Sequence, residues 1–223
     1  PGLADVIDRE FDAVVRMMTL SRFLKRGREF DAWLTDIRKL MHHEIDYQRE
    51  MALTLKMERL LKRDDFSTAS LTSVRVPEIH LNYSSDDIIA MEYVEGQSPS
   101  NIDISTISQA RRNALAKTML ELFFKEIFDW GLIQTDPNFG NYLLTLTDSE
   151  RQSSDTLTLL DFGSVIELSA NEKLHLHNVI FGGLETDQKR VCEGLIGLKW
   201  LNNHSSDKAQ GLFSEFCIHL LEP

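Results

Sequence analysis

Two short acidic motifs place the tightest limit on what this chain can fold into. Gln134-Thr135-Asp136-Pro137-Asn138-Phe139-Gly140-Asn141 sets an aspartate and an asparagine five residues apart, and Leu159-Leu160-Asp161-Phe162-Gly163 opens a D-F-G 20 residues after Asn141. Between them, Leu143–Leu146 and Thr156–Leu160 flank a polar excursion from Thr147 to Asp155, the pattern of a short hairpin. Ahead of them, residues 106–130 carry a helical period, and Gly131 stops it. Leu115, Met119, Leu122, Phe123 and Ile127 share one face, and Leu120, Phe124 and Phe128 widen it. Lys117, Glu121, Lys125 and Asp129 leave a single polar stripe at i, i+4 steps. The pattern predicts a helix buried on most sides.

Helix, glycine, Asp…Asn loop, hairpin and D-F-G occur in the order of the catalytic half of a protein-kinase fold, whose catalytic loop reads H-R-D-x-x-x-x-N. Phosphoryl transfer explains the spacing. One carboxylate must meet the acceptor hydroxyl or water, and a second carboxylate with an amide oxygen must hold Mg²⁺ against the phosphates. Asp136 is the candidate for the first task, and Asn141 and Asp161 for the second. Pro137 biases Asp136 toward extended backbone. Either motif alone is weak, since D-F-G arises by chance at turns; their order and context carry the weight.

Upstream, residues 3–20 predict a helix, with Asp5, Asp8 and Glu10 favourable to its dipole. Residues 29–62 predict another, with Phe30, Trp33, Ile37, Leu40, Tyr47, Met51 and Leu55 on one stripe. Glu44 falls on that stripe, so either the acid has a partner or a break near His42-His43 resets the phase. Val74–Leu81 and Ile88–Val94, joined by turn residues Asn82 to Asp87, predict a first hairpin. Its second strand, Met91-Glu92-Tyr93-Val94-Glu95-Gly96, resembles the approach to a kinase hinge, where adenine bonds the backbone of Glu92 and Val94 beside Met91. Residues 98–105 are a polar connector. From about Ser169 the pattern is helical, with breaks at Gly182-Gly183 and Asn202-Asn203. His175 and His177, two apart on a helix, face away from each other.

The sequence contains no G-x-G-x-x-G or G-x-x-x-x-G-K-[ST]. Lys25, in Arg22-Phe-Leu-Lys-Arg-Gly27, does not sit in a strand pattern. The phosphate-covering loop and its lysine are therefore expected N-terminal to Pro1, and Pro1-Gly2 reads as a cut inside a longer chain. A net charge of −11 argues against a nucleic-acid binder, which needs a basic face. Two cysteines, Cys192 and Cys217, exclude a disulfide scaffold. No apolar run approaches the roughly 18 residues of a membrane span.

Glu44-Ile-Asp46-Tyr47-Gln-Arg49-Glu50 resembles the E-x-D-Y-x-R-E helix of the UbiB/AarF family of atypical kinase-like ATPases, tied to ubiquinone (coenzyme Q) biosynthesis. The similarity runs from Pro1 to about Leu201. Many members read H-A-D-P-H-P-G-N where this chain has Gln134 to Asn141; Q-T-D-P-N-aromatic is the form of the branch that includes mitochondrial coenzyme Q kinases. The resemblance implies that Glu50 pairs with a strand lysine lying before Pro1. It implies that Glu44 and Asp46 face an additional N-terminal K-x-G-Q element near the nucleotide. ATP and Mg²⁺ are the implied cofactors. The implied partners are a lipid or quinone-pathway acceptor, other ubiquinone-biosynthesis enzymes, and a membrane surface met through parts outside these residues. The implied location is cytoplasmic or membrane-peripheral in a bacterium, and the mitochondrial matrix side in a eukaryote.

The expected fold is α+β and mainly α: a protein-kinase-like helical C-lobe, with an αC helix and a β-hairpin from the N-lobe. Residues 1–96 would form the remainder of the N-lobe and 97–223 the C-lobe, as one compact unit. The expected function is that of a Mg-ATP-dependent atypical kinase or ATPase, with a nucleotide-binding pseudokinase scaffold as the competing class. Thr135 in place of the catalytic-loop arginine, and the lack of an A-P-E after Gly163, argue against an ordinary protein kinase. The E-x-D-Y-x-R-E helix argues against an antibiotic- or choline-type phosphotransferase. Gln134 is expected to make a structural hydrogen bond near Asp161, where kinases use His.

Overall fold

The computed structural model describes residues 2–20, 28–66, 72–136, 138–147 and 154–221. The expectations resting on Lys25, Gly27 and Pro137, and on the middle of the polar excursion, lie outside these residues. By its internal contacts the chain divides into two units, Pro1–Thr118 with Gln134–Val165, and Met119–Ile133 with Ile166–Pro223.

The first unit begins with α1 (Leu3–Leu20) and α2 (Arg28–His43). Asp8 and Asp12 of α1 meet Arg38 of α2, which also lies over the Phe11 ring at 5.0 Å. The helix expected over 29–62 is broken. Ile45 N–H donates to His42 O, Asp46 N–H donates to His43 O, and α3 restarts at Tyr47–Arg63. The break resolves the Glu44 problem in favour of a reset phase, because Glu44 lies in the turn and is exposed. Asp46 caps α3 by accepting from Arg49 N–H at 2.9 Å, satisfying one of the free donors at a helix start. Lys62 and Arg63 complement the other end. Met51, Thr54, Met57 and Leu61 recur at steps of three and four and are buried, with Leu53 beside them.

A three-stranded sheet follows: β1 (Thr72–Arg75), β3 (Tyr142–Thr145) and β4 (Asp155–Leu159), in the order β1-β4-β3. β4 runs parallel to β1 and antiparallel to β3. The register aligns Val74, Leu157 and Leu144 in one row, all buried. Each such side chain contributes about 1.5–3 kcal/mol by leaving water. The expected second hairpin is thus present. The first is present as isolated antiparallel bridges, Ile79 with Met91 and Ser85 with Ile88, rather than a continuous ladder. The strand proper lies earlier, at Thr72–Arg75, and takes its ladder from β4 instead.

α4 (Gln109–Phe124) continues into a π-helical turn, Lys125–Trp130, and stops at Gly131 in the left-handed region (φ 64). A side chain at Gly131 would also collide with the Lys173 side chain and Leu168 O, so two constraints require glycine there. Burial on most sides is not observed. Thr118, Leu122, Glu126 and Ile127 are buried, whereas Leu120, Phe123 and Phe124 are half exposed or more. Leu115, Met119 and Phe128 are partly buried, so the covered face is narrower than the apolar one. Phe124 stacks on Phe128 (ring centroids 6.1 Å), and the Phe128 ring in turn packs against Phe181 (5.6 Å) and His177 (6.1 Å). Lys125 and Asp129 pair at 2.8 Å on the predicted polar stripe.

β2 (Leu132–Gln134) pairs with β5 (Val165–Glu167). The second unit then has α5 (Ala170–Leu184), α6 (Gln188–Gly197) and α7 (Asp207–Leu221). Ser169 and Glu172 form a capping box at the start of α5, and Asp187 caps α6. Val179, Val191, Leu195 and Ile218 make the core of these three helices, with Cys217 partly buried against it. Gly194 lets α5 and α6 approach closely, since a Cβ there would stand 2.6 Å from His175 O.

One ion pair anchors the sheet. Arg111 of α4 grips the buried Asp155 of β4 through two nitrogens and donates to Thr147 O at 3.2 Å, while Thr147 N–H donates to Asp155 at 3.1 Å. Burial pushes the Asp155 carboxyl up, but the Arg111 guanidinium and the Thr147 donors outweigh it and hold the group below the usual carboxylate range. This stabilisation is therefore complete above the ordinary Asp pKa of about 3.9 and is lost as pH falls through the lower folded value. Arg111→Ala is expected to cost about 3–5 kcal/mol in urea unfolding at pH 7, because it strands a buried charge. The double change Arg111→Met/Asp155→Leu should cost less than that single change, and the penalty of Arg111→Ala should shrink in acid.

Candidate active site

All the sequence-predicted site residues fall in the first unit. Antiparallel pairing sets two of them close in the chain path: Tyr142 pairs with Leu159, and Leu160 N–H donates to Asn141 O at 3.0 Å. Asn141 thus sits across from the residue preceding Asp161.

The loop between β2 and β3 is built from its own polar residues. Asn138 starts a tight turn, its side chain accepting from Gly140 N–H at 2.9 Å and its carbonyl from Asn141 N–H at 2.9 Å. Asn141 then turns its amide nitrogen to Asp136, donating to the backbone oxygen at 3.2 Å and the carboxylate at 3.3 Å. With the nitrogen so engaged, the Asn141 side-chain oxygen is left as an acceptor-only group that a hard cation favours. Asp136 itself is exposed.

Asp161 is oriented locally. Its Oδ1 accepts from Gly163 N–H at 2.8 Å, and its backbone oxygen accepts from Gln134 Nε2 at 2.6 Å. The expected structural bond of Gln134 is therefore present. Thr135 binds Ser164 O through both its N–H and its hydroxyl, so the residue standing in for the catalytic-loop arginine ties the loop to the segment after D-F-G. Phe162 is buried.

Glu50, in the first turn of α3, lies close to Asp161. Burial, and then the negative charge of Asp161, push the Glu50 carboxyl above its ordinary range. Arg49, its neighbour, donates to Gly163 O at 2.8 Å and to Val165 O. The sequence motif contains Arg49, but its task was not legible there, because both acceptors are backbone oxygens more than a hundred residues away. Asp46 is engaged in capping α3, and the Glu44 backbone lies against Gly163. Among the described residues no hydrogen bond or ion pair joins either acid to Asp136, Asn141 or Asp161.

In the hinge-like segment, Glu92 N–H donates to Glu78 O at 2.8 Å, so its carbonyl is the backbone group left to a ligand. The Glu92 carboxylate pairs with Arg75 at 2.7 Å, which lowers its pKa. Met91 is exposed. The segment then joins β3: Gln97 and Leu144 exchange backbone bonds at 3.1 and 2.8 Å, and Thr145 donates to Glu95 O at 2.6 Å. Gly96 permits this approach, since a Cβ would stand 3.2 Å from Leu143 Cβ.

Among the described residues no three His, Cys, Asp or Glu side chains cluster as a metal site. One carboxylate and one amide oxygen suit Mg²⁺, which keeps waters and takes other ligands from substrate phosphates.

The raised Glu50 pKa fixes a sign. Folding takes up protons at this group, so its ionisation destabilises the fold increasingly as pH rises from the ordinary carboxylate range through the folded value. Glu50→Gln is expected to raise the melting temperature of residues 1–223 at pH 7 without added ligand. The gain should vanish below about pH 4, near the ordinary Glu pKa. A lower melting temperature at pH 7 would show that the ionised carboxylate has a cationic partner.

This chain is similar to the protein named atypical kinase COQ8, mitochondrial, of Saccharomyces cerevisiae, with 26% identity over 223 residues. That alignment covers all of this chain and 42% of the yeast protein. It is 30% identical over 193 residues to atypical kinase coq-8, mitochondrial, of Caenorhabditis elegans, covering 86% of this chain and 24% of that one. The chain therefore spans less than half the length of these relatives. Among solved structures, Rv3197 of Mycobacterium tuberculosis, determined with erythromycin, matches all of this chain and 52% of its own, with a TM-score of 0.60 at 18% identity, which supports the fold. Among the described residues no helix is long and apolar enough to cross a membrane. The model of the ABC1 atypical kinase-like domain matches residues 1–195, and the chain belongs to that family, the one to which Glu44–Glu50 and Gln134–Asn141 pointed as UbiB/AarF.

Proposed function

We propose that this chain is the catalytic part of a Mg-ATP-dependent atypical kinase or ATPase that supports ubiquinone biosynthesis, acting on a lipid or small-molecule acceptor. The observation that carries the proposal is the Asn141–Asp136 hydrogen bond, formed next to a D-F-G turn whose Asp161 is fixed by Gly163 and Gln134. In this reading residues 1–96 complete the upper lobe and 97–223 the lower lobe of a nucleotide cleft. The names of the mitochondrial relatives support a mitochondrial location if the protein is eukaryotic.

Asp136, exposed and held by Asn141, accepts the proton of the acceptor hydroxyl or water. Asn141 Oδ1 and the Asp161 carboxylate hold Mg²⁺. When bound, the ion neutralises charge on the transferring phosphoryl group. Glu92 and Val94 offer backbone groups to the adenine edge, with Met91 beside the ring. Glu50 holds a lysine from outside residues 1–223, and Glu44 and Asp46 border the nucleotide from the turn before α3.

The test is phosphate release by the full-length protein, its Asp161→Asn variant and residues 1–223, with and without Mg²⁺ and membrane lipid. Full-length protein should release phosphate in a Mg²⁺-dependent way. Asp161→Asn should lose about 100-fold or more, the scale of removing one preorganised electrostatic group. Residues 1–223 alone should be slow, because positioning and charge neutralisation supply most of the catalysis. Equal background release from all three would end the enzymatic reading and leave a nucleotide-binding scaffold.

A further inference from the structure

Arg49 has no part in the chemistry above, yet it makes the longest-range side-chain contacts to the D-F-G turn. Its guanidinium bonds two carbonyls, Gly163 O at 2.8 Å and Val165 O. Ser164, between them, is held by Thr135, and Asp161 O by Gln134. Four backbone oxygens between 161 and 165 are thus fixed by three side chains. Arg49 differs from the other two in coming from α3, where Asp46 pins its own backbone N–H at 2.9 Å.

The chemical consequence falls on Asp161. Its carboxylate is aimed by Gly163 N–H at 2.8 Å, and Arg49 holds the next peptide along, through Gly163 O. Gly163 is the joint between those two peptides, and glycine is the residue least able to keep them aligned by itself. We propose that Arg49 is a positioning residue for the metal-binding carboxylate of Asp161, acting through the carbonyls of Gly163 and Val165. The proposal rests on the nucleotide reading above. A lysine cannot replace the arginine in this role. Its single ammonium is a point charge, whereas the planar fork presents separate donors to two carbonyls at once.

The experiment uses the full-length protein as wild type, Arg49→Lys and Asp161→Asn. Binding of a fluorescent ADP analogue is measured in EDTA and across a Mg²⁺ titration, with melting temperatures recorded alongside. Wild type should bind more tightly as Mg²⁺ is added. Arg49→Lys should shift the Mg²⁺ midpoint upward by about 10–100-fold, the scale seen when a group orienting a metal ligand is removed. Its affinity in EDTA should stay within about twofold of wild type, by the separation of metal-independent from metal-dependent binding. Amide exchange at Gly163, measured without metal or nucleotide, should quicken in the same variant. Should Arg49→Lys melt early, Arg49→Gln, which keeps a donor for one carbonyl, is carried through the same titration.

A Mg²⁺ midpoint equal to wild type would overturn the proposal. So would an equal loss of affinity with and without Mg²⁺ accompanied by a lower melting temperature, which marks a structural role only. If wild type itself shows no Mg²⁺ effect, the nucleotide reading falls and the Arg49 proposal with it; a wild-type effect that Asp161→Asn abolishes and Arg49→Lys preserves overturns the Arg49 proposal alone.

Discussion

A guanidinium that keeps its charge at any ordinary pH joins the start of α3 to the turn that carries Asp161. The site depends on this bond because its parts lie far apart in sequence. α3 is fixed by its apolar face and by the Asp46 cap. The D-F-G segment is fixed by β4 on one side and β5 on the other. Arg49 converts two separately stable elements into one frame. Once it is in place, Glu50 is held half-buried near Asp161, and burial first and then the Asp161 charge raise its pKa.

Like charges brought together by a fold need either a cation or a proton. The rigid elements that impose the approach are therefore informative about what the site is for. A carboxylate pair with no task would relax apart through side-chain rotation, which costs little. Here rotation is opposed on one side: Asp161 Oδ1 is committed to Gly163 N–H. A cationic side chain or a metal ion near the two acids would offset both the burial of Glu50 and its repulsion from Asp161.

What the sequence made legible was local. Gln134 to Gly163 is a run of short-range signals: a glycine stop, an Asn-rich turn, alternating strand residues and a D-F-G. Each maps onto a structural element within a residue or two. The first hairpin was only half legible, because β-branched composition at 74–81 says that a strand is favoured but not which neighbour will pair with it. β1 found β4, some eighty residues on, and left Ile79 and Met91 with a single bridge. The α2–α3 break was undecided for a related reason. In the sequence Leu40, Tyr47 and Met51 fall at steps of seven and four, a spacing that one long helix or two helices with a break produce alike. Only the cap at Asp46 distinguishes two helices from one. For α4 the periodicity was right and the burial was not, since an apolar flank records what could be covered rather than what is.

Asp46 shows how a motif residue can act through the fold as well as through its charge. Its carboxylate satisfies Arg49 N–H, the same residue whose guanidinium holds Gly163 and Val165. The cap thus sets the direction in which α3 enters, and with it the reach of the Arg49 fork. On the other side of the D-F-G, the chain runs through β5 and the Ser169–Glu172 capping box into α5, with Leu168 N–H bound to Gly131 O at 2.7 Å. Between Gly163 and α5 the backbone is held by Thr135, Arg49, a strand partner and a helix cap in turn. The turn that carries Asp161 is consequently a fixed mount, tied to α3 by Arg49 and to the end of β2 by Gln134 and Thr135.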